Sequence, residues 1–434
     1  STLGWPEKTP DLDYFYPTNV LVTGYDIIFF WVVRMVFSSL NIMGEVPFEH
    51  VFVHGLVRDE QGRKMSKSLG NGVDPLLMID KYGADALRFM LLNGSAAGSD
   101  MRFTEDKLES SRNFANKLWN ASRFVIMNFP EDEDGNLLDA SESAIAALAK
   151  AGKLQAEDIW VIDNLKSYAA DITRNLEGFE LSLASSKIYE LTREIYCDWY
   201  IELVKARLYD GSDVDKKVVC TVLKYVLKDI LRLLHPFMPF ITEEIWSKIG
   251  STGKLIVNTW PVLESPVANL ADRERNVQSI ELAMDAIRAV RSVRVDYDAA
   301  PSKKLSLYAK SDEQVIDRLA MLESTQAHIK KLANVEAFGI ITDVSALGDS
   351  ASAIVNGLEL LIPMGDLVDV EAEREKLIKE KTKLEGEIKR ISGKLSNQGF
   401  VSKAPEKVVA AEREKQAAYE ENLVKVEARL VELI

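Results

Sequence analysis

The chain has 434 residues, 28% of them charged, with a formal net charge of -14. That length exceeds what one ordinary hydrophobic core serves and implies roughly two to four domains. Two cysteines, Cys197 and Cys220, exclude a disulfide scaffold or a cysteine zinc cluster and fit a reducing compartment, and the histidines at 50, 54, 235 and 328 show no metal-ligand spacing. The acidic total argues only weakly against a nucleic-acid partner, because binding needs a local basic surface rather than a basic average. No signal peptide or membrane span is read. The most apolar window, 20–40, is broken by Thr23, Asp26 and Arg34 and reads as a strand followed by a core helix, so a cytoplasmic protein is expected.

Residues 20–24 form a short apolar strand ending on Gly24, and residues 27–40 carry a helical pattern crowded with aromatic and aliphatic side chains. Strand, glycine, helix is how a parallel sheet presents a ligand site at a strand's C-terminal edge. Gly24 permits close backbone approach, and Asp26 is a helix N-cap, a carboxylate for a ribose hydroxyl, or both, the two roles being compatible. Trp31, taken by itself, reads as a core residue. Residues 51–53 form a second buried strand, ending at His54-Gly55-Leu56. After a turn at 59–62, Arg63, Lys64 and Lys67 fall within five residues, with Ser66 between them and Ser68 and Gly70 just after. Such a loop is either a solvated surface loop or a mobile cationic clamp for a polyphosphate. Asp74-Pro75 is an N-cap and first-turn pair, and Asp85 with Arg88, three apart, reads as a structural ion pair.

Between 105 and 260 the apolar spacing is helical throughout, at 105–128, 141–151, 156–176, 181–209, 213–235 and 241–249, with an acidic loop at 130–135. These lengths fit an antiparallel bundle. Residues 261–368 read as a small α+β domain, with helices at 270–290 and 315–332 and strands at 305–309, 335–341 and 354–362. Arg288, Arg291 and Arg294 repeat at three, with Lys303 and Lys304 nearby; they form a solvated helix face or a phosphate contact. In the last segment, 369–434, Val370, Leu377, Leu384 and Ile391 are seven apart, a break follows at 396–399, and a second heptad helix starts near Pro405. This is a coiled-coil hairpin. Acids and bases balance there, but Lys389, Arg390, Lys394, Lys403 and Lys407 gather toward its tip. The hairpin is either a dimerisation arm or a phosphate-binding arm.

Lys64-Met65-Ser66-Lys67-Ser68 resembles the signature loop of the class I aminoacyl-tRNA synthetases, and its surroundings are similar to the valyl-tRNA synthetase family. The likeness runs from the opening segment through GYDIIFFW at 24–31 to LSNQGFVSKAPEKVV near the end. The resemblance implies a multidomain, mostly α protein: a partial Rossmann-like α/β catalytic half (1–104), a helical anticodon-binding bundle (105–260), a small α+β linker domain (261–368) and a C-terminal antiparallel coiled-coil tRNA-binding arm (369–434). It implies ATP-dependent activation of valine and transfer to tRNA(Val), with Lys64 and Lys67 as catalytic cations. Gly24, Asp26, Gly55, Leu56, Ser66 and Ser68 would line the ATP site with them, and Trp31 would wall the amino-acid pocket. Arg288, Arg291, Arg294 and the five hairpin bases become candidate tRNA contacts. ATP with Mg²⁺ is the implied substrate complex, and neither a structural metal nor a membrane partner is expected. The family's HIGH-type signature is not found, so the chain reads as the C-terminal portion of a synthetase, a monomer inactive alone and binding tRNA only. A non-catalytic tRNA-binding module, an isoleucyl- or leucyl-tRNA synthetase fragment and a structural helical protein remain the alternatives.

Overall fold

A computed structural model describes residues 2–94, 96–129, 139–311, 315–367, 370–396 and 406–432, with the side chains of 370–376, 406, 407, 429, 431 and 432 outside the description. The chain groups into two units, Ser1–Val277 and Gln278–Ile434. It is mostly helical: an α/β region opens it, a helical region follows, then a small mixed domain and two long C-terminal helices.

In the first unit, helix α1 (Pro10–Phe15) starts on Thr9, whose hydroxyl accepts from the Leu12 N–H, with proline in the first turn. Strand β1 (Thr18–Gly24) pairs in parallel with β2 (Phe48–His54), and Gly24 stands opposite His54. The connection runs through a 3₁₀ turn (Tyr25–Ile27), a wide π turn (Ile28–Val32) and helix α2 (Val33–Ile42). The expected core helix is corrected by its exposure: Phe29 and Phe30 are 74% and 69% exposed, and only Val32 and Ser39 along the run are buried. Apolar residues occupy every side of this helix, while a two-stranded sheet can cover one side at most. The run Tyr25–Ile42 has the length and apolarity of a membrane span. Asp26 inside it is ion-paired to Lys64, and Arg34 interrupts it again, which does not suit a lipid-facing helix.

Strand β3 (Val57–Arg58), helices α3 (Pro75–Tyr82) and α4 (Ala84–Leu92), and strand β4 (Met101–Arg102) complete the α/β region; β3 and β4 pair in parallel. Asp74 accepts from the Leu76 N–H ahead of Pro75, the cap that its sequence implies. Each helical pattern read between 105 and 249 is a helix: α5 (Glu105–Met127), α6 (Glu142–Lys150), α7 (Ala156–Glu177), α8 (Leu181–Glu190), α9 (Ile201–Asp210), α10 (Asp213–Leu234) and α11 (Pro239–Lys248). α8 runs into α9 through a π-helical stretch, Leu191–Tyr200. The acidic loop at 130–135 lies outside the described residues. The bundle core is dense, with Trp160, Trp246, Tyr196, Tyr200, Leu108 and Leu118 almost wholly buried. Two charge clusters are buried inside it. Lys166 meets Asp229 and Glu142, each at 3.2 Å, and donates to the Val262 carbonyl at 2.7 Å. Arg207 meets Glu157 at 2.7 Å and Asp158 at 2.8 Å.

Helix α12 (Arg273–Asp296) extends beyond the residue-290 end expected for it and takes in residues 292–295. In the second unit, β5 (Leu305–Lys310), β6 (Val335–Ile341), β7 (Ser350–Val355) and β8 (Leu358–Pro363) form one sheet in the order β6-β5-β8-β7, parallel only between β5 and β6. The single strand expected at 354–362 is a hairpin instead. Asn356 and Gly357, at φ 47° and 82°, make the tight two-residue turn that Asn-Gly favours. The expected helix 315–332 is two, α13 (Ile316–Ser324) and α14 (Gln326–Leu332), and β8 runs directly into a short helix, α15 (Met364–Leu367).

Helices α16 (Val370–Ser396) and α17 (Glu406–Glu432) each run 27 residues, about 40 Å at 1.5 Å per residue. Leu377 and Leu384 pack with Val426, Tyr419, Leu423 and Leu430. Lys381 meets Glu427 at 2.7 Å and Lys394 meets Glu412 at 3.7 Å; partner numbers fall as the first rises, so the pair is antiparallel.

Candidate active site

The ends of β1 and β2 bring together residues far apart in the chain. Gly24 ends β1, and a Cβ placed on it would lie 2.9 Å from an Asp26 carboxylate oxygen and 3.5 Å from Leu56. Gly55 is more tightly constrained: a Cβ there would fall 1.9 Å from the Ser99 carbonyl oxygen, so the backbone approach itself demands glycine. Beside it the Leu56 N–H donates to Asp100 at 2.7 Å, and Arg58 donates to the other Asp100 oxygen at 2.5 Å. Those two donors, the backbone N–H first, hold the Asp100 carboxyl below its usual range. Tyr25 adds a third donor at 3.2 Å, which ties the start of the long apolar helix to the 99–102 segment.

The Lys-Met-Ser-Lys-Ser loop is stapled at its base. Residues 59–62 form a turn in which the Gly62 N–H donates to the Asp59 carbonyl. The buried Asp59 carboxylate accepts from the Arg63 N–H at 2.7 Å, from Arg63 Nε at 2.8 Å and from Asn71 Nδ2 at 2.8 Å. The Asn71 amide, ahead of Arg63, draws the Asp59 carboxyl down to about 2. Asn71 Oδ1 accepts from the Ser66 N–H at 3.0 Å, so one side chain holds both ends of the loop. Ser66 Oγ and Ser68 Oγ are 3.1 Å apart, and the Leu69 N–H donates to Ser66 Oγ. Met65 packs onto the apolar cluster of Ala86, Leu87, Met90, Phe103 and Leu108.

This frame leaves the two lysines in different conditions. Lys64 Nζ reaches Asp26 at 3.0 Å, joining the loop to the edge of β1. Lys67 is exposed and meets no partner among the described residues. One cation thus stands anchored at the strand edge while the second stays open to an anion. An apolar cleft of about 470 Å³ lies by the same edge, lined by Val20, Val22, Phe52, His54, Gly55 and Phe179 among others, but not by Trp31, Lys64 or Lys67. Trp31 lies on the π turn, 44% exposed.

Sequence reading missed the staple. Asp59 was visible only as the first residue of a turn, and Asn71 only as the approach to α3; an Asp four residues before an Arg in a tight turn is the local signal. The Asp85–Arg88 ion pair is not formed either: both side chains reach backbone groups of residues 236–241.

The three arginines of α12 are not equivalent. Arg288 pairs with Asp285 at 2.8 Å, Arg291 donates to the Leu332 carbonyl, and Arg294 is buried, donating to the carbonyls of Ala300, Ala333 and Asn334. The spacing of three puts them on one helix face, but the end of α14 covers Arg294, whose guanidinium satisfies carbonyls left over beyond that helix. On the hairpin, Lys389 is exposed, Arg390 pairs with Glu387 at 2.6 Å and Lys394 pairs with Glu412. Lys403 lies outside the described residues, as does the side chain of Lys407. Among the described residues no group of three or more His, Cys, Asp or Glu could hold a metal ion.

Comparison with known proteins finds three families along the chain. Residues 1–104 match tRNA synthetases class I (I, L, M and V), 158–309 match the anticodon-binding domain of tRNA ligase, and 369–434 match the valyl tRNA synthetase tRNA binding arm. Valine--tRNA ligase of Clostridium acetobutylicum is 46% identical over 435 residues, covering 100% of this chain and 47% of that protein. Valine--tRNA ligase of Clostridium tetani is 47% identical over 435 residues, with coverage of 100% and 47%, and that of Bacillus subtilis is 42% identical over 436, with 100% and 48%. The chain spans about half the length of the curated relatives it matches. The expectation of a C-terminal portion is corrected by the extent of these matches. Similarity runs along the whole chain and takes in the class I synthetase domain at its start as well as the arm at its end.

Proposed function

We propose that this chain serves the ATP-dependent activation of valine and its transfer to tRNA(Val). The observation that carries the reading is the arrangement of the two signature-loop lysines: Lys64 tied to Asp26 at the end of β1, and Lys67 left open on a loop stapled by Asp59 and Asn71. In the proposed reaction the valine carboxylate attacks the α-phosphorus of ATP and pyrophosphate departs. Negative charge grows on the bridging and leaving oxygens as that bond breaks. Lys67, on a flexible four-carbon stem, meets this charge as it develops, and Lys64 holds the loop over the strand edge. When ATP binds, Lys64 exchanges its Asp26 contact for phosphate, which frees the carboxylate for a ribose hydroxyl. Mg²⁺ enters with ATP as part of the substrate. Gly55 and Leu56 lie beside the base, with the Leu56 N–H held by Asp100 and its carbonyl by the Met101 N–H, and Ser66 and Ser68 lie beside the phosphates. Trp31 is the apolar wall for the valine side chain.

The proposed tRNA surfaces are the helical region, α12 through Arg288 and Arg291, and the hairpin through Lys389, Arg390, Lys394, Lys403 and Lys407. Arg294, committed to three carbonyls, acts in the reading as a support for its neighbours. The protein is proposed to work as a cytoplasmic monomer. The test is amino-acid-dependent ATP–pyrophosphate exchange by the protein that carries this chain, run with valine, isoleucine and leucine, beside filter binding of tRNA(Val) and an unrelated tRNA. Exchange stimulated by valine above the other two, with preferential retention of tRNA(Val), is expected. Equal response to all three amino acids removes the valine assignment. Binding of tRNA with no exchange under any condition leaves a tRNA-binding module.

A further inference from the structure

Helix α11 begins on Met238, which has no side-chain oxygen to cap the orphan N–H groups of its first turn. The cap comes from another element. Asp85 of α4 accepts from the Phe240 N–H at 3.3 Å and from the Ile241 N–H at 2.7 Å. One turn along α4, Arg88 donates to the carbonyls of Pro236 at 3.1 Å and Phe237 at 3.3 Å. An acid and a base three residues apart thus grip the two ends of the α10–α11 corner, the acid on exposed donors and the base on exposed acceptors. The opposite side of α4 carries Ala86, Leu87 and Met90, and Met65 from the middle of the signature loop packs onto that cluster. Phe89 extends the helix's contacts to Phe114 of α5, with ring centroids 5.1 Å apart.

From this continuity we propose that Asp85 and Arg88 are positioning residues for the signature loop, with α4 as the rigid link between the α10–α11 corner and Met65. The proposal rests on the synthetase reading for its catalytic consequence but not for its structural one. Loosening the clasp lets α4 shift, Met65 loses its seat, and the loop samples more open states. A ligand that moved the α10–α11 corner would reach Lys64 and Lys67 by the same route.

Trypsin reads this directly, since Arg63, Lys64 and Lys67 are its sites within the loop. In the full chain, Asp85→Ala and Arg88→Ala should each raise the rate of cleavage at these residues about fivefold, the size expected when one helix cap is lost. Arg88→Lys should show a smaller rise, and Lys248→Ala, which removes only a surface pair on α11, none. Met65→Ala should also raise cleavage, and adding Asp85→Ala to it should change the rate little further, because both break one link. In the protein that carries the chain, the clasp variants should lower the exchange kcat and leave the KM for valine unchanged. Unchanged loop cleavage in folded Asp85→Ala and Arg88→Ala would overturn the proposal, as would full additivity with Met65→Ala. If even Asp85→Asn and Arg88→Lys lose the helical circular dichroism, the two residues are fold determinants alone and the positioning role is withdrawn. Absence of valine-dependent exchange in the unsubstituted protein would strike the functional reading instead, leaving the cleavage result to stand.

Discussion

The helical region and the α/β region handle apolar residues in opposite ways. In the bundle, Trp160, Leu118, Ile162 and Leu165 lie on helix faces that meet other helices, and each is essentially buried. In the α/β region the run Tyr25–Ile42 is as apolar as any core helix, yet Phe29, Phe30, Phe37 and Ile42 are exposed. Apolar content alone therefore did not decide burial. A periodic stripe buried itself where other helices met its face, whereas the 25–42 run outgrew the surface that a two-stranded sheet offers it. Stability in this chain should accordingly reside in the bundle, while the proposed chemistry lies with the first hundred residues.

The sharpest way to break that contrast is by truncation. Trp160→Ala should destabilise the chain by about 3–5 kcal/mol, through lost burial and the cavity left behind. Phe30→Ala should change stability by less than about 0.5 kcal/mol, as for surface positions generally. Urea denaturation followed by circular dichroism measures both, and comparable losses would mean the two regions do not differ. Somewhat smaller is Lys166→Ala, which removes one of two bases from the buried Asp229 and leaves Arg232 on it at 2.7 Å, at an expected cost of about 1.5–3 kcal/mol. Lys166→Met, which keeps the packed stem, should recover only part of it.

On the chemical side, Lys67→Ala should lower the exchange kcat about 10²–10³-fold with little change in KM for valine, the pattern for a cation engaged only in the transition state. Its effect on unfolding should be negligible. A pure KM effect would reassign Lys67 to ground-state binding.

A smaller effect concerns the loop's base. Asp59, held down at about 2 against an ordinary 3.8, is more acidic folded than unfolded. Its staple is therefore complete above the ordinary carboxylate range and is lost as pH falls through about 2. Asn71→Ala removes the largest cause, so the Asp59 carboxyl carbon should titrate at higher pH by NMR. An unmoved titration would show that Arg63 alone sets the value. The smallest effect is expected at the hairpin, where Arg390 and Lys394 already have carboxylate neighbours. Lys394→Ala should lower the salt slope of tRNA binding by about one at most, because a paired surface cation releases few counterions.

Much of this was legible in the sequence. The helices between 105 and 249, the heptad of α16 and the strand–glycine edge at Gly24 rest on period and local turn chemistry, which neighbours in sequence specify. The Asn-Gly turn of the β7–β8 hairpin has a local signal too, but apolar residues continuing on both sides of it give the same pattern as one long strand. Other features had no local signature. Burial of Arg294 depends on where α14 ends, the fate of Asp85 and Arg88 on a corner some 150 residues away, and the anchoring of Lys64 on Asp26 across the β1–β2 edge. Sequence by itself determined which segments became helices and strands and which residues could carry charge. Tertiary structure alone decided which charges stay free for a ligand, because a side chain's availability is set by the orphan backbone groups and carboxylates that packing brings within reach.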